Sequence, residues 1–367
     1  MQSPPTNEFL TRKHVAYFQR CLSLLPHSYQ CLDSTRLTLG MFCFSGLDLL
    51  GTLTTALSQD ERRGYIDWIY AQQVTAAAAT KICSPPTLVR FLLRAYPAPL
   101  RITLIHTLVT DVPGSHGFCG GPFSGPMTSE DKARNYYTVA NLAATYSALV
   151  SLVGRIVRKH LFTPHPYSIE CDLRFVYCAC AVCHLLDDWS GVDKAKAVGF
   201  IRACQQYDGG FATAPGNESH GGVLVSAVAS LKLMGHLDDD TAFDRSAAVA
   251  WGLRQQDRGF HGRVNKEDDT CYSYWIGAGL KVMGAYDLVN LERQRAFLLA
   301  TQRHIGGFGK APSDYPDTLH SYMGLTAFSM MGEPGLKELI PELNISMDAY
   351  QAFRARQSSA LCRSSPI

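Results

Sequence analysis

The chain has 367 residues, and its 34 lysines and arginines nearly balance 32 aspartates and glutamates, which leaves a net charge of +2. This balance excludes the broad basic surface with which proteins bind nucleic acids. A hydrophobic content of 46% supports a large core and excludes general disorder. Charged residues make up only 18% of the chain, which favours coverage of part of the surface by a partner protein.

No segment has the features of a membrane span or of a secretion signal. The longest apolar stretch, residues 175–186, contains a histidine and is much shorter than the roughly 20 residues that cross a bilayer. The N-terminal residues have no apolar core behind their charges, so we expect no signal peptide. The twelve cysteines are therefore expected to be buried thiols in the reducing cytoplasm. Cys180 and Cys183 also form a CxxC pair, but no second pair at zinc-site spacing accompanies it.

The N-terminal part, residues 8–110, is predicted to be a helical segment, and a degraded repeat follows it. The degraded copy is visible at residues 116–118 (HGF) and again at residues 136–154. Three clearer copies follow, so that the repeats are strongest within residues 116–332. We expect one domain over residues 1–367, ending in a tail at residues 350–367.

Each clear copy contains a glutamine, a turn, Gly-Phe, a polar loop, an apolar helix and Met-Gly. The phenylalanines are residues 211, 260 and 308, and the methionines are residues 234, 283 and 331. A fixed period of this size indicates stacked supersecondary units. One helix of each unit, such as residues 271–284, is apolar nearly all round and should be buried, whereas the other, such as residues 291–302, is amphipathic.

This alternation of inner and outer helices predicts an all-α fold. The units could form an open superhelix or close into a double ring, and the small residues of the inner helices favour a closed α–α barrel. The glycine after each methionine is a natural left-handed helix stop. Counting 14 residues back from each methionine reaches His220, Asp269 and Asp317, which should therefore lie where inner helices begin, on one rim. Helix N-termini favour anions at such a rim.

Asp269, Cys271 and His320 are a candidate zinc-binding set. A carboxylate, a thiolate and an imidazole can hold zinc and leave its fourth position open. The alternative is a capping aspartate, a buried cysteine and a separate histidine. The spacing leaves other candidate ligands open, namely His304, Asp268, Asp317 and His220.

A loop next to this set could bind a phosphate or diphosphate. Arg263 and Lys266 precede the candidate ligands and Tyr272 follows them, although a solvated basic loop has the same composition. His220 is either a further donor to the anion or a helix cap. The acidic residues 238–240 lie at a turn on the opposite rim, where capping and solvation explain them better than a magnesium–diphosphate site.

Aromatic residues on the inner helices, Tyr177, Tyr274 and Trp275, could line an apolar lumen or simply pack in the core. No single one of them distinguishes these two possibilities.

Together these motifs resemble the β subunits of protein prenyltransferases. The resemblance covers residues 36–332 and is carried by the QxxGGF repeats, ESHGG at 218–222, RxxKxxDxCYSxW at 263–275 and DxxH at 317–320. It implies an α–α barrel paired with a helical-repeat α subunit, and an enzyme that moves an isoprenoid from its diphosphate to a cysteine near a protein C-terminus.

The resemblance assigns roles residue by residue. It implies one zinc ion on Asp269, Cys271 and His320. It implies a diphosphate held by His220, Arg263, Lys266 and Tyr272. It also implies an isoprenoid and peptide pocket that includes Arg174, Tyr177, Tyr274, Trp275 and Met323, and it places Val223 at a pocket position that varies within the family.

Two positions favour the type I geranylgeranyl enzymes within this family. Thr38 falls where the farnesyl enzyme has tryptophan, and the smaller side chain leaves room for one more five-carbon unit. Lys310 falls where that enzyme has a magnesium-binding aspartate, and a fixed ammonium can neutralise the leaving diphosphate without Mg²⁺.

The resemblance implies geranylgeranyl diphosphate as the donor and CaaX proteins ending in Leu or Phe, such as Rho- or Rac-type small GTPases, as acceptors. The alternatives are a farnesyltransferase β subunit, a terpene cyclase and a non-catalytic helical scaffold.

Overall fold

The computed structural model describes residues 8–29, 32, 35–74, 117–118, 146, 171–190 and 192–362. The first helices are α1 (Thr11–Ser23), α2 (Arg36–Leu49), α3 (Leu53–Ala56) and α4 (Gln59–Ala71). The repeats contain α5 (Leu173–Leu186), α6 (Lys194–Cys204), α7 (Gly221–Met234), α8 (Arg245–Arg254), α9 (Tyr272–Val282), α10 (Leu291–Thr301) and α11 (Thr318–Met330), and the last helix is α12 (Met347–Cys362). Two antiparallel strand pairs accompany them, β1 (Gln73–Val74) with β2 (Gly117–Phe118) and β3 (Leu339–Ile340) with β4 (Ile345–Ser346).

The inner helices of the repeats are buried on nearly every side because their sequences are apolar nearly all round. In α7, twelve of the fourteen residues are buried. Each of the three clear repeats ends its inner helix at a glycine with positive φ, as the Met-Gly motif predicts: Gly235 at 82°, Gly284 at 75° and Gly332 at 76°. Glycine adopts this left-handed backbone conformation at little energetic cost, and the conformation ends the helix.

The inner helices pack side by side in the order α5, α7, α9, α11 and α2. Helices α1 and α2 therefore pack against the last repeat. A closed ring has such a contact between its first and last helices, whereas an open superhelix lacks it. The prediction of a closed α–α barrel is confirmed. The degraded repeat copy at residues 136–154 lies outside the described residues apart from Tyr146, as do residues 75–110.

A repeated glutamine clamp links an outer helix to the next at three places in the described part of the chain. The side chain donates to one backbone carbonyl and accepts from a backbone N–H at the start of the following outer helix. The clamps are Gln205 on Asp244, Gln256 on Asn290, and Gln302 on Glu8 and Leu10. In the third clamp the following helix is α1, so the same device that links neighbouring repeats also closes the ring.

A buried histidine completes this seam. His14 lies on α1. Its Nε2 is 2.9 Å from Gln302 Oε1, and its Nδ1 accepts from Gly307 N at 3.0 Å. The ring also stacks on Phe308, with centroids 4.6 Å apart. Burial lowers the pKa of His14 to about 4, even though the Gln302 hydrogen bond acts to raise it. Both nitrogens are therefore satisfied by the neutral ring.

Tyrosine hydroxyls of the inner helices hold the turn between β3 and β4. Tyr274 on α9 donates to Pro341 O at 3.0 Å, and Tyr322 on α11 donates to Asn344 O at 2.7 Å. Tyr146 donates to Leu343 O at 3.2 Å. These bonds fix the segment that follows the last repeat against the inner wall. In the described part of the chain, no helix is both long and apolar enough to cross a membrane.

The acidic run at residues 238–240 lies in the turn between α7 and α8, on the rim opposite the helix starts. Asp239 Oδ1 accepts from both the backbone N–H and the hydroxyl of Thr241, at 2.9 and 2.6 Å. Asp238 pairs with Arg245 at 2.7 Å. These carboxylates are used in local capping and ion pairing, as the sequence predicts.

Candidate metal and diphosphate site

The donor atoms of Asp269, Cys271 and His320 all lie within 4.8 Å of one another. Asp269 and Cys271 come from the loop that starts α9, whereas His320 lies in the first turn of the neighbouring helix α11. His320 Nε2 is 3.1 Å from Asp269 Oδ1, and Cys271 N donates to the same oxygen at 2.9 Å. Packing of two inner helices thus brings together side chains that are about 50 residues apart in the chain.

Asp317 fixes the orientation of His320 from the other side of the ring. Its Oδ2 is 2.5 Å from His320 Nδ1, while its Oδ1 accepts the backbone N–H of His320 at 2.9 Å and so caps α11. A carboxylate on the second ring nitrogen is the usual partner of a metal-binding histidine, because it sets the tautomer and leaves the first nitrogen for the ion. Asp317 is therefore a support for the candidate ligand.

The pKa values of the three groups are shifted by burial and by one another. Burial acts to lower the pKa of His320, but hydrogen bonds and charges from Asp269 and Asp317 outweigh it and raise that pKa to about 9. Burial, with the Asp269 charge, raises the pKa of the Cys271 thiol well above its usual range. Burial also acts against the Asp269 carboxylate, yet hydrogen bonds from His320 and Cys271 leave its pKa lowered.

The donor set fits zinc. Tetrahedral zinc with ligand bonds of about 2.0–2.3 Å places neighbouring ligand atoms about 3.5 Å apart. One pair is already 3.1 Å apart, and the most distant atoms need to approach by little more than an ångström. A metal would displace the protons on His320 and Cys271, as metal binding to such ligands does.

Among the described residues, the competing ligands Asp268, His304 and His220 are not part of this cluster. Asp268 Oδ2 accepts from the backbone N–H groups of Arg258 and Gly259, at 3.1 and 2.8 Å, so this oxygen is already bound by the preceding turn. His304 is exposed at the turn before Gly306. His220 caps α7, with Nδ1 accepting from Gly222 N at 3.0 Å.

His220 and Tyr272 form a second polar pair beside the three donors. His220 Nε2 lies 3.2 Å from the Tyr272 hydroxyl. Burial lowers the pKa of His220, and the charges of Arg263 and Arg174 lower it further. The neutral ring, with Nδ1 accepting in the cap, carries its proton on Nε2 and donates to the Tyr272 oxygen. The Tyr272 proton is then left for an incoming anion.

A glycine makes room for this tyrosine. A Cβ at Gly262 would lie 2.0 Å from Tyr272 Cζ, so any other residue there would displace the ring. Burial also raises the pKa of Tyr272 to about 12, which keeps the hydroxyl protonated at neutral pH. Tyr272 is therefore a neutral donor held at a fixed place on the rim.

Two arginines lie near this pair, the predicted diphosphate ligand Arg263 and the predicted pocket residue Arg174. Arg263 NH1 is 3.3 Å from Glu218 Oε2, with both side chains largely exposed. Arg174 binds Asp172 through two nitrogens, at 2.9 and 2.5 Å. The charges of both arginines act, after burial, to lower the pKa of His220.

The other two predicted cations are placed differently. Lys266 is exposed and lines an outer groove of about 840 Å³ with Arg258 and His261. Among the described contacts, no hydrogen bond or ion pair joins it to His220 or Tyr272. Lys310 is also exposed, but its carbonyl accepts from Thr270 N at 3.0 Å. Its backbone therefore lies directly beside the loop that carries Asp269 and Cys271.

The predicted pocket residues lie on inner helices. Thr38 on α2 is half-buried. Met323 and the variable pocket residue Val223 are buried. Trp275 is half-buried and packs edge-on against Tyr274, with ring centroids 5.0 Å apart.

Tyr177 is buried on α5, and its hydroxyl lies 3.0 Å from that of Tyr146. The hydroxyls of Tyr177 and Tyr274 are therefore both used in bonds within the protein. Cys180 and Cys183 on the same helix are fully buried thiols, and burial raises the pKa of each.

Sequence analysis missed two residues at the site. Asp317 was only a competing ligand, although the DxxH spacing at a helix start places a carboxylate and a histidine on one face. Thr270 is not predicted as a site residue, because a threonine between two candidate ligands has no distinctive pattern.

Comparisons with known proteins agree with this architecture. Residues 9–345 match the family model described as the prenyltransferase alpha-alpha toroid domain. The chain is 36% identical to the geranylgeranyl transferase type-1 subunit beta of Arabidopsis thaliana, over 95% of this chain and 92% of that protein. It is 32% identical to the protein of the same name from Dictyostelium discoideum, over 92% and 95%.

A solved structure, Candida albicans protein geranylgeranyltransferase-I complexed with GGPP, has the same fold. Its TM-score is 0.75 at 24% identity, covering 95% of this chain and 99% of the other.

Proposed function

We propose that this chain, which belongs to the prenyltransferase alpha-alpha toroid family, is the catalytic β subunit of a zinc-dependent protein geranylgeranyltransferase type I. The observation that carries the proposal is the meeting of Asp269, Cys271 and His320 within 4.8 Å, beside the His220–Tyr272 pair. The two similar relatives that bear the name of such a subunit support it, since each aligns with nearly the whole chain.

The reaction is the transfer of a geranylgeranyl group from its diphosphate to the cysteine of a C-terminal CaaX sequence. When bound, zinc lowers the pKa of the acceptor thiol so that it is present as thiolate. The sulfur attacks the first carbon of the isoprenoid, a carbon–sulfur bond forms, and the carbon–oxygen bond breaks with its electron pair going to diphosphate. The product is a thioether.

The residues of this chain act on the leaving diphosphate. Tyr272 donates its proton as a hydrogen bond, since His220 already saturates the phenol oxygen on one side. Arg263 and Lys310 supply positive charge from the two loops that flank the ligands. Preorganised donors of this kind act where charge develops and are typically worth about 2.7–4 kcal/mol each. Lys266 contributes if its side chain turns inward from the outer groove.

The same proposal covers partners and conditions. We propose a helical-repeat α subunit as an obligate partner, and the low charged fraction of 18% is in keeping with a covered surface. Acceptors are CaaX proteins of the Rho or Rac type ending in Leu or Phe. Zinc is the one metal needed, because the Lys310 ammonium takes the place of Mg²⁺. The chain acts as one domain, residues 1–367, in the cytoplasm.

The experiment uses the heterodimer, produced by co-expression with an α subunit. We expect one zinc per heterodimer and faster transfer from the twenty-carbon than from the fifteen-carbon diphosphate onto a CaaX peptide ending in Leu. Cys271→Ala and His320→Ala should lose zinc and transfer together. Cys180→Ala, which removes a buried thiol of α5, is the matched control and should keep both.

Three outcomes would change the assignment. Full transfer by metal-free Cys271→Ala would end the zinc proposal. Preference for the fifteen-carbon donor would favour a farnesyltransferase subunit, and stable zinc with no transfer from either donor would favour a non-catalytic scaffold.

A further inference from the structure

Thr270 lies between two candidate zinc ligands and is the most completely buried residue of the loop. Its side chain has no exposed surface. Its hydroxyl lies 2.7 Å from Gly309 O, 3.2 Å from Lys310 O and 3.0 Å from Thr301 Oγ1. The Thr270 backbone N–H adds a bond to Lys310 O at 3.0 Å. Thr270, in the loop that carries Asp269 and Cys271, thus binds the carbonyls of both Gly309 and Lys310.

The loop of residues 309–314, which carries Lys310, is also hydrogen-bonded on its far side. Ala311 N donates to Asp314 Oδ2 at 3.2 Å, and Asp314 N donates back to Ala311 O at 3.0 Å. A Cβ at Gly309 would lie 2.6 Å from Asp314 O, so the loop doubles back tightly. The direction in which the Lys310 side chain leaves the loop therefore depends on the peptide that joins Gly309 to Lys310.

We propose that the Thr270 hydroxyl is a positioning group that holds the Gly309–Lys310 peptide, and with it the Lys310 ammonium, in register with the Asp269–Cys271 ligand pair. This inference rests on the proposed function, in which that ammonium neutralises the leaving diphosphate. The backbone bond from Thr270 N would form with any residue at this position except proline. The hydroxyl bond to Gly309 O requires serine or threonine, since a buried carbonyl of this kind has few other donors within reach.

The chemical consequence is a link between the two halves of the reaction. The ligand pair sets where the acceptor sulfur lies, and Lys310 sets where diphosphate charge is neutralised. A donor fixed relative to the reacting atoms stabilises the transition state far better than a mobile one. The buried Thr270 side chain therefore connects the Asp269–Cys271 ligand pair to the backbone of Lys310.

The test is a double-mutant cycle in the heterodimer, with Thr270→Val and Lys310→Ala. Valine keeps the shape of threonine and removes the hydroxyl. We expect Thr270→Val to lower kcat for geranylgeranyl transfer about tenfold, with KM for the diphosphate within about twofold and zinc content unchanged. In the Lys310→Ala background, Thr270→Val should have no further effect, because its effect passes through the ammonium. Thr270→Ser keeps the hydroxyl and should retain wild-type kcat.

Thr326→Val is the matched control. Thr326 is also fully buried, but its hydroxyl bonds Met323 O within α11 at 2.8 Å, so its loss should leave kcat unchanged. Wild-type kcat for Thr270→Val would overturn the inference, and so would an equal loss with and without Lys310, which would indicate a structural role. Should the valine variant fail to assemble, Thr270→Ala compared with Thr270→Ser asks the same question with less bulk. A wild-type heterodimer that transfers no isoprenoid would refute the proposed function itself.

Discussion

The support of His320 by Asp317 predicts a loss of zinc affinity when only the charge of that carboxylate is removed. Asp317→Asn is the suitable change because asparagine caps helices about as well as aspartate. The cap on His320 N should therefore survive, while the charge-assisted contact with His320 Nδ1 is lost. The substitution separates the start of α11 from the orientation of its histidine.

The expected loss is 10- to 100-fold in zinc affinity, which is the usual effect of removing such a partner. This corresponds to about 1.4–2.8 kcal/mol, at roughly 1.4 kcal/mol for each factor of ten. The Asp317 side chain is 34% exposed, so we expect a value near the lower end. Competition between the purified heterodimer and a chelator of known zinc affinity measures the change directly, without depending on catalysis.

The matched control is Asp193→Asn, which alters a capping aspartate that has no histidine partner. Asp193 caps α6 by accepting from Lys196 N at 3.1 Å, and its replacement should leave zinc affinity unchanged. Asp317→Ala should lose both the cap and the contact, and so unfold more readily than Asp317→Asn. Unchanged zinc affinity in Asp317→Asn would refute the reasoning, since the contact would then have no bearing on the ion.

Two further predictions concern the seam and the diphosphate. The pKa of His14 is about 4 in the folded chain, against 6.5 when unfolded, so only the unfolded state gains this proton between these values and stability falls as the pH drops through that window. The resulting loss in unfolding free energy should reach about 3 kcal/mol at pH 4. Urea unfolding at several pH values measures it, as the part of the pH dependence that wild type shows and His14→Gln does not. Lys310→Asp should make turnover depend on added Mg²⁺, and a rate that ignores Mg²⁺ would contradict the proposed role of the ammonium.

Much of the fold could be predicted because every clear repeat contains the same helix stop and the same difference between apolar and amphipathic helices. The Met-Gly stops end inner helices at the predicted places, and inner and outer helices differ in composition as their burial requires. The family resemblance is likewise confirmed by the match over residues 9–345. The sequence favoured a closed ring but could not show which elements meet at the seam. Gln302 contacts α1, which lies almost 300 residues earlier. No periodicity relates the two.

The candidate site could be predicted in composition but not in arrangement. Counting back from the methionines places Asp269 and His320 on one rim, yet it treats Asp268 as equally suitable. The structure separates them because the Asp268 carboxylate is bound by two backbone N–H groups of the preceding turn. The position of Lys266 in an outer groove could not be foreseen either, since the direction of an exposed side chain depends on the loop backbone.

The ring seam has a consequence for the order of events during synthesis. In an open stack of repeats each new unit can settle on the one before it as it leaves the ribosome. Here α1 is made almost 300 residues before its partner Gln302 leaves the ribosome. His320 emerges later still, so the three donors cannot meet on a nascent chain that is any shorter. An ion held by these three donors should therefore bind only after residue 320 has left the ribosome.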